Sequence, residues 1–148
     1  MRGILHMTGQ QIRVVIVDDH TGVRTGIRYI LGNARDIDVV GEGANGVEAV
    51  QLANTHKPDV MLLDVELPLM RGDEVVRLIR DKHPEVKVLA VSSYSDREYI
   101  LEMMANGAAG YITKDEVPDL LVEAVRIIHN ANHTWLSPRA HKINPPRG

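Results

Sequence analysis

The sequence predicts an α/β protein built around a parallel β-sheet, and two features of the chain carry this prediction. Short runs rich in Val, Ile and Leu lack polar alternation, which is typical of strands buried on both faces. These runs alternate with longer segments whose apolar residues recur at helical spacing. A chain of 148 residues is close to the size of one domain. We therefore predict one sheet of five strand–helix units with helices on both faces.

The predicted strands come first in each unit. They comprise residues 12–17 (IRVVIV), 37–43 (IDVVGEG), 59–64 (DVMLLD), 86–92 (VKVLAVS) and 109–113 (AGYIT). The predicted helices comprise residues 22–31, 45–56, 73–83, 96–107 and 118–130. Their ends carry suitable residues, since the third stops before Pro84, the fourth begins on a capping Asp96, and the fifth begins with Pro118.

Composition excludes several classes of function. The chain has no cysteine, which excludes disulfide frameworks, thiolate metal sites and cysteine nucleophiles. Its net charge is −3 and only 3% of its residues are aromatic, which argues against a nucleic-acid-binding face. No apolar stretch approaches the roughly 20 residues needed to span a bilayer, and the start lacks a signal-peptide core. We therefore expect a cytoplasmic protein with no membrane partner.

Polar residues follow four of the predicted strands. They are Asp18 and Asp19 after the first strand, Asp64 at the end of the third, Ser92 and Ser93 at the end of the fourth, and Thr113 and Lys114 at the end of the fifth. Each Asp or Ser alone is more simply explained as a cap or turn residue, and Lys114 alone as a solvated surface charge. Because ligands bind at the carboxyl ends of strands in open α/β sheets, their joint arrangement indicates a site.

A cluster of carboxylates requires a cation nearby. Two like charges about 4 Å apart repel by about 4 kcal/mol at an effective dielectric of 20. Oxygen ligands without cysteine favour a hard ion, and Mg²⁺ is the usual choice. Mg²⁺ with a carboxylate, a hydroxyl and a lysine suits phosphate chemistry. A carboxylate such as Asp64 could itself be the nucleophile and form an aspartyl-phosphate.

Four motifs, in order along the chain, resemble the receiver domain of bacterial two-component response regulators. They are "VVIVDDH" at 14–20, "DVELPLMRG" at 64–72, "VSS" at 91–93 and "GAAGYITKD" at 107–115. The resemblance implies a doubly wound (βα)5 sheet with the flavodoxin-like strand order 2-1-3-4-5. It divides the chain into an N-terminal tail (1–11), whose His6-Met7 resembles a cloning remnant, a receiver domain (12–131) and a linker or tail (132–148).

The resemblance also implies a phosphoacceptor and a metal site. Asp64 would accept a phosphoryl group, assisted by Lys114 and by the hydroxyl of Ser92. Mg²⁺ would be bound directly by Asp19, through water by Asp18, by Asp64 itself, and by the main-chain carbonyl of Glu66. The resemblance therefore implies a signalling domain rather than an enzyme, with self-phosphorylation from small donors and autodephosphorylation as its own chemistry.

The resemblance also implies residues that switch the conformation and residues that set the lifetime of the phosphoryl group. Ser92 matches the hydroxyl that bonds the phosphoryl group, and Tyr111 matches the aromatic residue that turns inward when that hydroxyl moves. Glu66 and Tyr94 lie two positions after the phosphoacceptor and after the switch hydroxyl, where side chains border the path of the hydrolytic water. We therefore expect Glu66 and Tyr94 to tune the lifetime of the phosphoryl group.

Subfamily features indicate the partners. "DDHTGVRTGI" at 18–27 and "WLSP" at 135–138 resemble regulators of the NarL/FixJ type, in which a helix-turn-helix domain follows the receiver. The resemblance implies a sensor histidine kinase as phosphodonor, a homodimer as a candidate assembly, and transcription control as output. DNA would be contacted only through the helix-turn-helix domain, which we expect to be absent from these 148 residues.

Two other functions stay open at this point. A Mg²⁺ phosphohydrolase of the haloacid-dehalogenase type also uses a strand-end Asp nucleophile, but it requires D-x-D where this chain has Asp64-Val65-Glu66. A receiver-like interaction module that is never phosphorylated is the other alternative. The presence of Asp64, Asp19 and Lys114 together argues against it.

Overall fold

A six-stranded parallel sheet forms the centre of the computed structural model, which describes residues 10–93 and 97–143. The strands are β1 (Ile12–Val17), β2 (Ile37–Gly43), β3 (Val60–Asp64), β4 (Lys87–Ser92), β5 (Gly110–Thr113) and β6 (Trp135–Leu136). The helices are α1 (Thr21–Gly32), α2 (Gly46–His56), α3 (Gly72–Lys82), α4 (Arg97–Ala105), α5 (Val117–Asn130) and α6 (Pro138–Ile143). A 3₁₀ turn (Lys114–Glu116) joins β5 to α5.

The strand order is β2-β1-β3-β4-β5-β6, and every neighbouring pair is parallel. The predicted fold class and the order 2-1-3-4-5 are thereby confirmed for the first five strands. The five predicted helices are present, with ends that differ by one or two residues. The capping role predicted for Asp96 lies outside the described residues.

Each face of the sheet carries its own apolar layer, which explains why the strands lack polar alternation. Val15, Met61 and Tyr111 belong to the layer under α2, α3 and α4. Leu62 and Ile112, each next in sequence to a residue of the first layer, belong to the layer under α1 and α5. Successive side chains of a strand point to opposite faces, so both sets must be apolar. All five residues of β3 are buried.

The structure continues beyond the five predicted units. The composition of residues 132–148 predicts a linker or tail, whereas Trp135–Leu136 form β6 and Pro138–Ile143 form α6. Main-chain N–H groups of Trp135 and Ser137 donate to the carbonyls of Ala109 and Tyr111, both at 3.0 Å. Two hydrogen-bonded residues are too short a strand to produce a periodic pattern, so the sequence did not reveal them. Residues 144–148 lie outside the described part.

None of the helices within the described ranges is long and apolar enough to cross a membrane.

Candidate functional site

Three charged side chains meet at the carboxyl edge of the sheet. Asp18 directly follows β1, Asp64 ends β3, and Lys114 directly follows β5. Both carboxylates are only 2% exposed. The Lys114 Nζ atom lies 3.1 Å from Asp18 Oδ2 and 3.1 Å from Asp64 Oδ2, so one ammonium group bridges two buried carboxylates. The sequence prediction that these residues share a site is supported by this geometry.

Main-chain groups orient the two carboxylates. Asp64 Oδ1 accepts a hydrogen bond from the Glu66 N–H at 2.9 Å, and Asp18 Oδ1 accepts one from the His20 N–H at 2.9 Å. Each bond spans two residues, which is the Asx-turn geometry that Asp adopts after a strand. One oxygen of each carboxylate is therefore held by its own turn, and the other faces Lys114.

Burial makes Asp64 the unusual titrating group of the site. Desolvation, together with the neighbouring charge of Asp18, raises the pKa of Asp64 to about 6 against the opposing effects of the Glu66 N–H and Lys114. For Asp18, burial also acts to raise the pKa, but the His20 N–H and Lys114 outweigh it and lower the pKa. Burial acts to lower the pKa of Lys114, yet the two carboxylates raise it. At neutral pH all three groups are therefore charged.

The carboxylates also define a place for a cation. Asp18, Asp19, His20 and Asp64 each offer a ligand atom, and these atoms lie within 4.8 Å of one another. Asp19 is 37% exposed, so the cluster reaches solvent on its side. Three carboxylates form a hard-oxygen donor set that fits Mg²⁺. The Glu66 side chain is exposed, and the part predicted for its main-chain carbonyl in metal binding stays a prediction.

The predicted switch residues lie on the two neighbouring strands. Asp64 pairs with Val91 in the β3–β4 ladder, so Ser92 lies one residue beyond the partner of Asp64 at the same edge. Ser92 is fully buried and pairs with Thr113 of β5. Tyr111 is also fully buried, within the apolar layer under α4. Tyr94 lies outside the described residues, so its role in phosphoryl lifetime stays a prediction.

Sequence reasoning missed a polar network directly behind Lys114. The carboxylate of Glu116 accepts hydrogen bonds from the Thr113 N–H at 3.1 Å and from the Thr113 hydroxyl at 2.8 Å. Its other oxygen accepts from the Arg139 N–H at 3.0 Å. The stretch "TKDE" at 113–116 has the Ser/Thr-x-x-Glu spacing of a capping box, which is the signal that could have revealed Glu116. Nothing in the sequence pairs Glu116 with Arg139.

Gly72 fixes the loop that follows the phosphoacceptor candidate. A Cβ atom at this position would lie 2.8 Å from the carbonyl oxygen and 2.9 Å from the Cα of Val65, closer than real Cβ contacts. Gly72→Ala must therefore displace the backbone between Asp64 and Glu66. We expect it to lower the free energy of unfolding by about 1–3 kcal/mol, measured by urea denaturation.

Gly26 provides the matched control for this substitution. It lies within α1, and a Cβ there would meet no atom within 4 Å. Gly26→Ala should be neutral or stabilise by up to about 1 kcal/mol, because Ala favours the helix over Gly. Equal effects of the two substitutions would contradict a special role for Gly72.

Comparison with known proteins places this geometry in a family. The model of the response regulator receiver domain matches residues 14–126, which is most of the chain. The chain therefore belongs to the response regulator receiver family, and it is a receiver domain of a two-component response regulator. Its fold, with the acidic pair after β1, Asp64 after β3 and Lys114 after β5, agrees with the resemblance identified from the sequence.

Individual relatives are regulatory proteins by name. The chain is 37% identical over 118 residues to the transcriptional regulatory protein DegU of Brevibacillus brevis, covering 80% of this chain and 50% of DegU. It is 36% identical over 133 residues to the oxygen regulatory protein NreC of Staphylococcus carnosus, covering 86% of this chain and 59% of NreC. The chain thus spans little more than half the length of these curated relatives.

Solved structures give the same assignment. The signal receiver domain of the putative response regulator NarL from Mycobacterium tuberculosis superposes with a TM-score of 0.73 at 31% identity, covering 79% of this chain and 98% of that one. A LuxR-family two-component response regulator from Aurantimonas superposes with a TM-score of 0.85 at 32% identity, covering 91% and 96%. The predicted NarL-type relationship is confirmed by these neighbours.

Proposed function

We propose that this receiver domain accepts a phosphoryl group on Asp64 in a Mg²⁺-dependent reaction and thereby controls the output of a transcription regulator. One observation carries the proposal. Asp64 is a buried carboxylate at the sheet edge, fixed by the Glu66 N–H and contacted by the ammonium group of Lys114. A buried nucleophile beside a fixed cation is the arrangement that phosphoryl transfer requires.

The residues divide the work of the transfer. An ionised Asp64 oxygen attacks the phosphorus atom of the donor, and the bond from phosphorus to the leaving group breaks, with its electron pair leaving on that group. Lys114 lies where it can neutralise charge on the phosphoryl oxygens. Because the pKa of Asp64 is raised to about 6, the carboxylate is available mainly above that pH.

Asp18, Asp19 and Asp64, with the main-chain carbonyl of Glu66, would hold Mg²⁺. The ion would offset the mutual repulsion of the carboxylates and the negative charge of the phosphoryl group. We expect Asp19→Asn to weaken Mg²⁺ affinity by at least tenfold, because the resemblance implies that Asp19 binds the ion directly and an amide carries no negative charge. Calorimetric Mg²⁺ titration measures this, with the exposed Asp38→Asn of β2 as control. Unchanged affinity in Asp19→Asn would show that Asp19 is not a ligand.

The partners follow from the family and from the names of the relatives. A sensor histidine kinase would be the physiological donor, and small phosphodonors would label the same residue. Transcription control fits the name of DegU, a transcriptional regulatory protein, and would require a DNA-binding domain. Ser92 and Tyr111 would convert phosphorylation into a change of the protein surface, and a homodimer would be one outcome of that change. Glu66 and Tyr94 would set the lifetime of the phosphoryl group.

Intact-mass analysis after exposure to acetyl phosphate and Mg²⁺ tests the proposal. We expect one phosphoryl adduct on the parent and none on Asp64→Asn, which keeps the shape of the side chain and its acceptor for the Glu66 N–H. A receiver-like interaction module that is never phosphorylated would show no adduct on the parent protein. A phosphohydrolase would consume the donor over many turnovers. Undiminished labelling of Asp64→Asn would reject Asp64 as the acceptor.

A further inference from the structure

The segment Trp135–Ile143, here called the latch, consists of β6, Ser137 and α6 and packs against β5. Ser137 and Ala140 are fully buried. Ala140 belongs to the same apolar layer as Tyr111, and Leu136 packs against that layer. The Ser137 N–H donates to the carbonyl of Tyr111 at 3.0 Å. The latch is therefore bound to the strand that leads into Lys114.

Polar contacts also join the latch to the turn that carries Lys114. Lys114, Asp115 and Glu116 are consecutive residues of one 3₁₀ turn. Glu116 accepts from the Arg139 N–H at 3.0 Å and also bonds Ser137, and Asp115 forms an ion pair with Arg139. Glu116 is only 8% exposed, so its contacts to the latch are shielded from water. One end of this turn touches the phosphoacceptor and the other end touches the latch.

We propose that the latch and the phosphorylation site are energetically coupled. The docked latch holds the turn in the position that places the Lys114 ammonium group 3.1 Å from Asp64 Oδ2. A phosphoryl group on Asp64 adds negative charge next to Lys114 and attracts its ammonium group more strongly. The turn that carries Lys114 is then fixed more firmly, and this stabilises the docked latch.

The physical basis is preorganisation. A cation that is already held at the place where charge develops needs no reorganisation when that charge arrives, so the fixed turn favours the phosphorylated state. Coupling between two sites is reciprocal in free energy, so the same factor must appear in the stability of the latch. The inference rests on the proposed function and adds an intramolecular route from Asp64 to the segment that follows α5.

The chain supplies its own reporter for the latch. Trp135 is the sole tryptophan of the sequence and lies in β6, where its main-chain N–H donates to the carbonyl of Ala109. Its fluorescence therefore reports docking without an added label. Amide hydrogen exchange of residues 135–143 gives a second, independent measure, since undocking exposes these groups to solvent.

A matched pair of substitutions separates the latch from the site. Ala140→Asp introduces a charge at a fully buried position of α6, whereas His141→Asp introduces a charge at an exposed position of the same helix. Within the described residues, neither forms a hydrogen bond or ion pair with Asp64 or Lys114. Glu116→Gln is a second probe, because glutamine has one acceptor oxygen and cannot accept from both Thr113 and the Arg139 N–H, as the two carboxylate oxygens do. It keeps the test available if Ala140→Asp fails to fold.

The experiment is a titration with beryllium fluoride, a phosphoryl mimic, in the presence of Mg²⁺. We expect exchange in residues 135–143 of the parent to slow by roughly fivefold or more, and beryllium fluoride affinity to fall by roughly fivefold or more in Ala140→Asp and in Glu116→Gln. The affinity of His141→Asp should match that of the parent. Equal affinities in all four proteins, with no change in exchange, would overturn the coupling while leaving phosphorylation intact. Failure of the parent to bind the mimic or accept a phosphoryl group would overturn the proposed function itself and the coupling with it.

Discussion

Replacing Asp64 with Asn should make the folded protein more stable at neutral pH, by about 1–3 kcal/mol. The ordinary pKa of the carboxyl is 3.8, and burial raises it to about 6 in the folded state. Between these values the folded state binds more protons than the unfolded state, so stability decreases as the pH rises through this window. Above about pH 6 the buried carboxylate of Asp64 is ionised, and the loss of folding stability that its burial causes has reached its full size. Two pKa units correspond to at most about 3 kcal/mol, and this figure already includes the opposing attraction of Lys114.

Urea denaturation at several pH values in Mg²⁺-free buffer tests this result. The gain in Asp64→Asn should be full at pH 7.5 and should disappear as the pH falls from 6 towards 4, because the parent carboxyl is then protonated. The exposed carboxylate of Asp38 serves as control, and Asp38→Asn should change stability by no more than about 0.5 kcal/mol. A neutral-pH stability equal to or below that of the parent would mean that Asp64 is not strained by burial.

Removal of the bridging cation should have the opposite and larger effect. Lys114→Met keeps an apolar side chain but removes the ammonium group. The carboxylates of Asp18 and Asp64 then face each other without the cation that lies 3.1 Å from both. Breaking a buried ion pair by removing one partner costs about 3–5 kcal/mol, and some exposure of Lys114 reduces this to about 2–4 kcal/mol. The cost should shrink at acid pH, where Asp64 becomes neutral.

A double-mutant cycle isolates the cause. Adding Asp64→Asn to Lys114→Met removes one of the two repelling charges. The free energy of unfolding of the double variant should therefore exceed the value expected from the sum of the two single effects by about 1–3 kcal/mol. Lys82→Met, at an exposed position near the end of α3, controls for the loss of a lysine. Strict additivity of the two site substitutions would indicate that Lys114 stabilises the fold through its stem and not through the carboxylates.

The sequence predicted the sheet and the acidic site because both have strong local patterns. Unbroken apolar runs mark β3 and β4 as strands buried on both faces, and their last residues place Asp64 and Ser92 at one edge. Parallel strands end at the same edge, so the meeting of Asp18, Asp64 and Lys114 needed only the strand order.

The latch could not be predicted in this way. Its strand has two residues and its helix six, and its position depends on contacts between residues far apart in the chain. The bond from Arg139 to Glu116 spans 23 positions. The stretch around Pro138 is polar in composition, which is typical of linkers, and nothing in that composition indicates the burial of Ser137 and Ala140.

The pairing of β6 with β5 also bears on how two copies of this chain can associate. A strand with free N–H and C=O groups at the side of a sheet is a template for another chain, and unprotected sides lead to sheet continuation and aggregation. β6 occupies that side of β5 at Gly110 and Tyr111, and the buried Ala140 seats α6 beside it. Sheet continuation through β5 would require this cover to be removed first. Undocking of Trp135–Ile143 should therefore increase the tendency to self-associate, and concentration-dependent light scattering of Ala140→Asp against His141→Asp measures it.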